Sequence, residues 1–503
     1  MQRISAVYVA LLLTLFLLGF PSAGYEAISR FKYVVFLLVC GGYVAVIALL
    51  HTRQLVLAKR PSIRRLKSTF GALPMAQICL LGFLLFTILS GLFSAYPGTF
   101  LGTFRSEGVL TIGIYVLVCL FLSAHFRPKK WMLFLFGAGI GLTSLIALIQ
   151  LTGANPLGLY PAGFNYYDGG VYYSGKFLGT LGNAGLLAGF MSLAVGLLAM
   201  ALIKFDFRER WFLALPFFFG TLLIFEMGIN AALVALVAGF TLMLPVAVTG
   251  RKSLANTLFV LAIILGAFAL SEVLIFQDGP ILFAPLPFPI LIAIAFVLLF
   301  ALSVTKDKMF AKVSAKWYRL GAVFAMAGAI CAALITLWLY GGEQSGLIYE
   351  ASQALQGRWE DEFGTRRIYI WRNIFEHMRL ESVMLGTGPD TLGFWAIPPF
   401  TRFDEILGTT IVSGIDAAHN EYLHILATGG ILSLLAYLGA LVFAAVKWLR
   451  HPENKLAAVA GAGVLFYAIQ AFFGISQFIA APFFWTCFGV LLYAQNQEKK
   501  IAN

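Results

Sequence analysis

Residues 184–203 read AGLLAGFMSLAVGLLAMALI, a run without one charged side chain. A helix needs ~20 apolar residues to cross a bilayer core of ~30 Å. This run supplies them, and similar runs recur on both sides of it. The 503-residue chain is 60% hydrophobic and only 12% charged, about half the ~25% charged content of a soluble domain. An ordinary globular enzyme is excluded. The chain reads as an all-α polytopic membrane protein with about 14 spans. They lie at 5–24, 31–51, 73–93, 108–125, 131–151, 177–203, 211–227, 229–248, 254–275, 281–304, 318–340, 419–446, 456–475 and 477–495.

The net charge is +12, and its distribution decides what the sign means. With the N-terminus inside, 25 of the 35 Lys and Arg fall on the cytoplasmic side and 10 outside; the acids divide 5 to 18. That is the positive-inside bias, which places both ends in the cytoplasm. The basic stretch Arg53 to Lys67 therefore reads as a membrane-surface anchor, and nucleic acid is not expected as a partner. The first span follows only Arg3 and ends near Pro21-Ser22-Ala23-Gly24. It mimics a signal peptide, but the many spans after it favour an uncleaved anchor. The five cysteines all fall inside spans, so neither a disulfide framework nor a CxxC metal site is expected.

Three parts follow: spans 1–11 in 1–340, a large external loop in 341–418, and spans 12–14 with a cytoplasmic tail in 419–503. Within the loop, Thr365 to Leu380 (TRRIYIWRNIFEHMRL) reads as one amphipathic helix capped by Thr365. All six basic residues of the loop are arginines, whereas the cytoplasmic loops mix Lys and Arg. A guanidinium grips phosphate or carboxylate oxygens bidentately; an ammonium cannot. Arg366 and Arg367 stand in the first turn, where the helix dipole disfavours a cation unless an anion joins it. The plainer alternative is neutralisation by Glu360, Asp361 and Glu362.

Of six histidines, His377, His419 and His424 can be external. His419 stands where the loop re-enters the membrane, within reach of a lipid head group and an aqueous acceptor; neutral imidazole is the usual general base there. A bond to neighbouring backbone is the ordinary alternative. His424 is turned ~140° from it on a helix and is not expected to work with it. Asp390, Asp404, Glu405 and Asp416 match no metal-loop spacing. No Walker loop, GxSxG or HExxH occurs. Gly179-Thr180-Leu181-Gly182-Asn183 suits close helix packing as readily as a ligand.

Taken together, these stretches resemble the O-antigen ligase and polymerase superfamily over roughly Ser90 to Leu438. Gly102 to Gly108 (GTFRSEG) is similar to the family's first external loop, with Arg105 and Glu107 in matching places. Gly179 to Ala188 (GTLGNAGLLA) is similar to its G-T-x-G-N entry to a span, through Asn183. Arg367-Ile-Tyr-Ile-Trp371 matches R-x-x-x-W, Gly386 to Leu392 (GTGPDTL) its Gly-rich turn with Asp390, and His419-Asn420-Glu421-Tyr422-Leu423 its H-N-x-x-L. The resemblance implies a GT-C-like membrane glycosyltransferase of the bacterial cytoplasmic membrane, acting on its outer face. Arg367 and His419 would be catalytic, with Arg105, Glu107, Asn183, Arg366, Trp371, Asp390 and Asn420 binding substrate. It implies an undecaprenyl-diphosphate-linked glycan donor, a glycan acceptor (a protein less so), lipids as surroundings, and no metal or other cofactor. One departure is Asn230, in Gly228-Ile229-Asn230-Ala231-Ala232, where the family often has Arg. A transporter or lipid-linked glycan flippase is the rival reading, and a non-catalytic envelope scaffold a third.

Overall fold

A computed structural model describes the chain except residues 58–72, 169–172, 206–209, 276–281, 284–292, 295, 298, 301–312, 343–344, 405–408 and 503. The tenth predicted span falls largely outside the described residues, as does most of the Arg53–Lys67 stretch. The helices are α1 (Gln2–Phe16), α2 (Gly24–Leu57), α3 (Met75–Leu92), α4 (Val109–His125), α5 (Lys130–Gln150), α6 (Ala184–Lys204), α7 (Trp211–Met227), α8 (Asn230–Ala247), α9 (Arg251–Val273) and α10 (Ala315–Trp338). After them come two loop helices, α11 (Gly346–Leu355) and α12 (Phe363–His377), then α13 (Glu421–Arg450), α14 (Lys455–Ala471) and α15 (Ala481–Ala502). Strands among the described residues are confined to two short antiparallel pairs: β1 (Leu274–Ile275) with β2 (Leu282–Phe283), and β3 (Phe400–Asp404) with β4 (Thr409–Ser413).

Eight of the described helices are long and apolar enough to cross a membrane, and four more are apolar but shorter. The protein is an all-α, multi-pass membrane protein. The run quoted first is its axis: α6 is buried almost all round. Small residues let its neighbours approach, as usual where lipid gives no hydrophobic drive for helix pairing. A methyl group on Gly196 would lie 2.5 Å from the Phe466 ring of α14, and one on Gly189 3.1 Å from Gln470.

Two helices break where polar groups gather. α13 is interrupted at Gly430 (φ 78°, ψ 173°). The released Thr428 carbonyl accepts Ser90 Oγ of α3 and the Gly388 backbone N–H, both at 2.8 Å. Non-helical backbone at membrane depth is tolerated only where protein or a cavity takes up its polar groups, and the Gly386–Gly388 turn does so here. α12 departs from the predicted Thr365–Leu380 helix. Gly364, Thr365 and Arg366 are all left-handed (φ 63°, 58° and 66°), and regular helix begins only at Arg367. Thr365 makes no cap; the Glu350 carboxylate accepts the Gly364 N–H at 2.9 Å instead.

Candidate functional site

The loop between α3 and α4 folds around a carboxylate from far along the chain. Asp390 Oδ2 accepts the backbone N–H groups of Phe104 (2.9 Å) and Arg105 (2.8 Å). Gly102 (φ 91°) permits the approach: a Cβ there would stand 2.7 Å from Asp390 Oδ2. Asp390 is itself left-handed (φ 59°) and 2% exposed. Burial raises its pKa despite the N–H donors. Its second oxygen, Oδ1, is buried with no hydrogen-bond partner among the described residues.

Held this way, Arg105 reaches Asp416 Oδ1 through Nη2 at 2.7 Å, while its Nε is buried without a partner there. Asp416 lies in the extended segment that follows β4 and leads to His419. A few residues on, Asn420 caps α13 by accepting the Leu423 N–H at 3.0 Å. His419 takes a left-handed turn (φ 49°) just before the cap and is half-buried.

From the other side comes the first regular turn of α12. Arg367 donates through Nε to the Phe473 carbonyl (3.1 Å) and through Nη1 to the Gly364 carbonyl (2.5 Å). One turn on, Trp371 Nε1 donates to the Ala418 carbonyl at 2.9 Å, and its ring meets Phe472 edge-on at 5.6 Å. The spacing of R-x-x-x-W thus has a physical sense: i and i+4 share a face, and that face locks α12 between the end of α14 and the start of α13.

Arg367 and Arg105 both act on His419. Its pKa is pushed down to about 4, first by burial and then by these two cations, with Asp416 opposing. The imidazole is neutral at neutral pH. Glu107 is pushed up to about 8, by burial first, with Asp390 adding; its Oε1 accepts the Tyr115 hydroxyl at 2.7 Å. It is a protonated, donor-capable group at neutral pH.

Arg105, Glu107, Asp390, Glu421, His424 and Thr428 help to line a cavity of about 60 Å³. The Glu421 carboxylate accepts the hydroxyls of Tyr437 (2.7 Å) and Tyr467 (3.1 Å). Sequence reasoning missed both Glu421 and His424. His424, set aside because of its rotation from His419, lines this cavity, and its Nδ1 is buried without a partner among the described residues. A break only two turns into α13, announced by Gly429-Gly430, was the available signal that this helix encloses a polar space.

Two expected residues, Arg366 and Asn183, sit apart from this centre. Arg366 lies over the Phe400 ring (5.7 Å) and reaches Glu362 only at 3.9 Å. Asn183 caps α6, accepting the Leu186 N–H at 3.0 Å. Its glycine-rich turn is bound by packing, with the Gly179 N–H on Gln150 Oε1 (2.7 Å) and Thr180 Oγ1 on the Leu17 carbonyl (2.8 Å). Asn230 opens α8. The site therefore holds Arg105, Glu107, Arg367, Asp390, Asp416 and His419, with Trp371 and Asn420 positioning them.

Such a set offers two cations for an anion, one neutral imidazole for a proton, and one protonated carboxyl to donate a hydrogen bond. In comparisons with known proteins, no protein-family model matches the chain, and no curated protein matches it.

Proposed function

We propose that the protein is a membrane glycosyltransferase of the O-antigen ligase and polymerase type, transferring polyprenyl-diphosphate-linked glycan onto an acceptor hydroxyl. The observation that carries this reading is that Arg105 and Arg367, far apart in the sequence, both bear on one neutral histidine. In the proposed topology about 14 spans in a GT-C-like arrangement cross the bacterial cytoplasmic membrane, both termini are cytoplasmic, and the site faces outward.

Arg367 and Arg105 hold the donor diphosphate. The bond between the anomeric carbon and the diphosphate oxygen breaks, and undecaprenyl diphosphate leaves with the electron pair. The acceptor oxygen bonds to that carbon, and its proton passes to His419. Fixed cations beside the leaving group supply charge stabilisation in a site of low dielectric, and holding both reactants at the interface removes much of the entropic cost. The same cations make His419 a weak base. A bound diphosphate would offset them and raise its basicity, so proton abstraction awaits the donor. The test is a purified protein given undecaprenyl-diphosphate glycan and acceptor, with the lengthened or transferred glycan as readout.

The break in α13 beside Glu421 and His424 favours a second reading, transport or flipping of a lipid-linked glycan, since broken helices and buried ionisable groups mark transport paths. Movement of donor across proteoliposomes without glycan transfer would select it.

A further inference from the structure

Three residues that line the cavity beside α13 each carry a buried polar atom with no hydrogen-bond partner among the described residues. They are Arg105 Nε from the loop between α3 and α4, Asp390 Oδ1 from the glycine-rich turn, and His424 Nδ1 from α13. Phe83 and Thr87 of α3, Tyr115 of α4 and Trp485 of α15 complete the wall. The volume of about 60 Å³ is room for about two waters at ~30 Å³ each. A hydroxymethyl group has the same two heavy atoms; a whole pyranose is too large.

The other polar groups of the wall have partners. Glu421 accepts the hydroxyls of Tyr437 and Tyr467, and Asp390 Oδ2 accepts two backbone N–H groups. Asp390 is only 2% exposed, and buried polar groups are as a rule paired. What could pair the remaining three follows from their types. Arg105 Nε is a donor, the carboxylate oxygen an acceptor, and the imidazole nitrogen either one according to tautomer. A hydroxyl, which donates once and accepts twice, answers that set. A phosphate would set its charge against Asp390 and Glu421, an ammonium would face Arg105, and an alkyl group would leave all three atoms unpaired. Arg105 also ties the cavity to the reaction centre, since the same guanidinium reaches Asp416 and bears on His419.

We propose that this cavity is a specificity pocket that takes one hydroxyl-bearing arm of a glycan substrate, no larger than a hydroxymethyl group, with Arg105, Asp390 and His424 as its hydrogen-bonding partners. The proposal rests on the glycosyl-transfer reading and adds a substrate class to it: a sugar whose free hydroxyl enters the cavity. A site built to bond a hydroxyl rejects the analogue that lacks it by up to ~10⁴–10⁵-fold, because its own polar groups are then left unpaired. Donor and acceptor sugars both carry hydroxyls, so each is tested.

The experiment is transfer kinetics of the full-length purified protein with deoxygenated glycans. Hydroxyls of the sugars flanking the new bond are removed one at a time, first in the undecaprenyl-diphosphate donor and then in the acceptor, sparing the hydroxyl that reacts. In wild type one position should lose at least ~10²-fold in kcat/KM, and the series in which it falls identifies the source. In His424→Leu the native and deoxy sugars should be used near parity. His424→Asn, which restores a polar atom in place of Nδ1, should recover the discrimination; a purely structural His424 would slow every substrate alike. A flat profile in wild type with transfer intact, as ordered water alone in the cavity would give, overturns the proposal, and so does an undiminished loss in His424→Leu. Absence of transfer from every glycan removes the glycosyltransferase reading and the proposal with it. If His424→Leu does not fold, Thr87→Leu fills the same cavity from α3 and should flatten the profile likewise.

Discussion

The carboxylate of Asp390 accepts the backbone N–H of Arg105 at 2.8 Å, so the residue that ends the glycine-rich turn sets the position of an arginine 285 residues earlier. Arg105 can then reach Asp416 and bear on His419. Asp390→Ala leaves the part-buried N–H groups of Phe104 and Arg105 without their acceptor, at up to about 1 kcal/mol each, the low end of the range for a fully buried donor. We expect a lower melting temperature and at least ~10-fold weaker transfer. Asp390→Asn keeps an acceptor and tolerates the left-handed backbone, so calorimetry should find it much closer to wild type.

Arg367 uses its fork to tie α12 to Phe473 and Gly364 while facing the proposed diphosphate. Lysine keeps the charge and loses the fork. Arg367→Lys should therefore fail nearly as badly as Arg367→Ala in donor-dependent glycan transfer. Near-normal output from the lysine variant would remove the bidentate role. Arg366→Ala should be the milder change, since Arg366 stands over Phe400, away from His419.

The pKa of His419 near 4 predicts an unusual acid limb. A depressed histidine stays neutral as pH falls through ~6.5, its ordinary value. For the free enzyme, kcat/KM should hold its plateau below pH 6.5 and decline only on approach to 4. Adding inorganic diphosphate should move the His419 resonance upward in an NMR titration, because the anion offsets Arg367 and Arg105. A limb at 6.5 with no shift on diphosphate would contradict the electrostatic account. The same depression means the unfolded chain binds the proton first, so this group's contribution to stability is complete above pH 6.5 and is lost as pH falls toward 4.

Orientation is tested by impermeant thiol labelling of a cysteine-free background. Leu380→Cys, at a position 91% exposed, and Gly414→Cys should react on intact protoplasts. Thr52→Cys and Ser314→Cys should react only after lysis. The reverse pattern would place the site in the cytoplasm and remove the donor from its reach.

The membrane fold was legible because uncharged runs such as 184–203 allow no other solution. The candidate site was legible in part. Arg367, Trp371 and His419 announced themselves by spacing and by their place at a re-entry point. The kink in α12 was hidden, because Thr365 and Arg366 are ordinary helix residues; a distant partner, Glu350, draws the Gly364 N–H out of helical register. The role of Asp390 was hidden for the same reason: its partners are backbone groups 285 and 286 residues away, which leave no local pattern. His424 was misjudged because rotation from His419 was counted, while the cavity enclosed by the broken α13 was invisible.

The central claim is that His419 accepts the acceptor's proton beside a diphosphate held by Arg367 and Arg105. It is tested most directly by measuring turnover and donor affinity of His419→Ala in parallel, with His377→Ala as the control. General-base assistance is worth ~10²–10⁴-fold. The account predicts a loss of that order in turnover, near-unchanged affinity for undecaprenyl-diphosphate glycan, a wild-type rate for His377→Ala, and no effect of EDTA on the wild type. A fully active His419→Ala protein, or one that has lost donor binding while turning over bound donor normally, would contradict it.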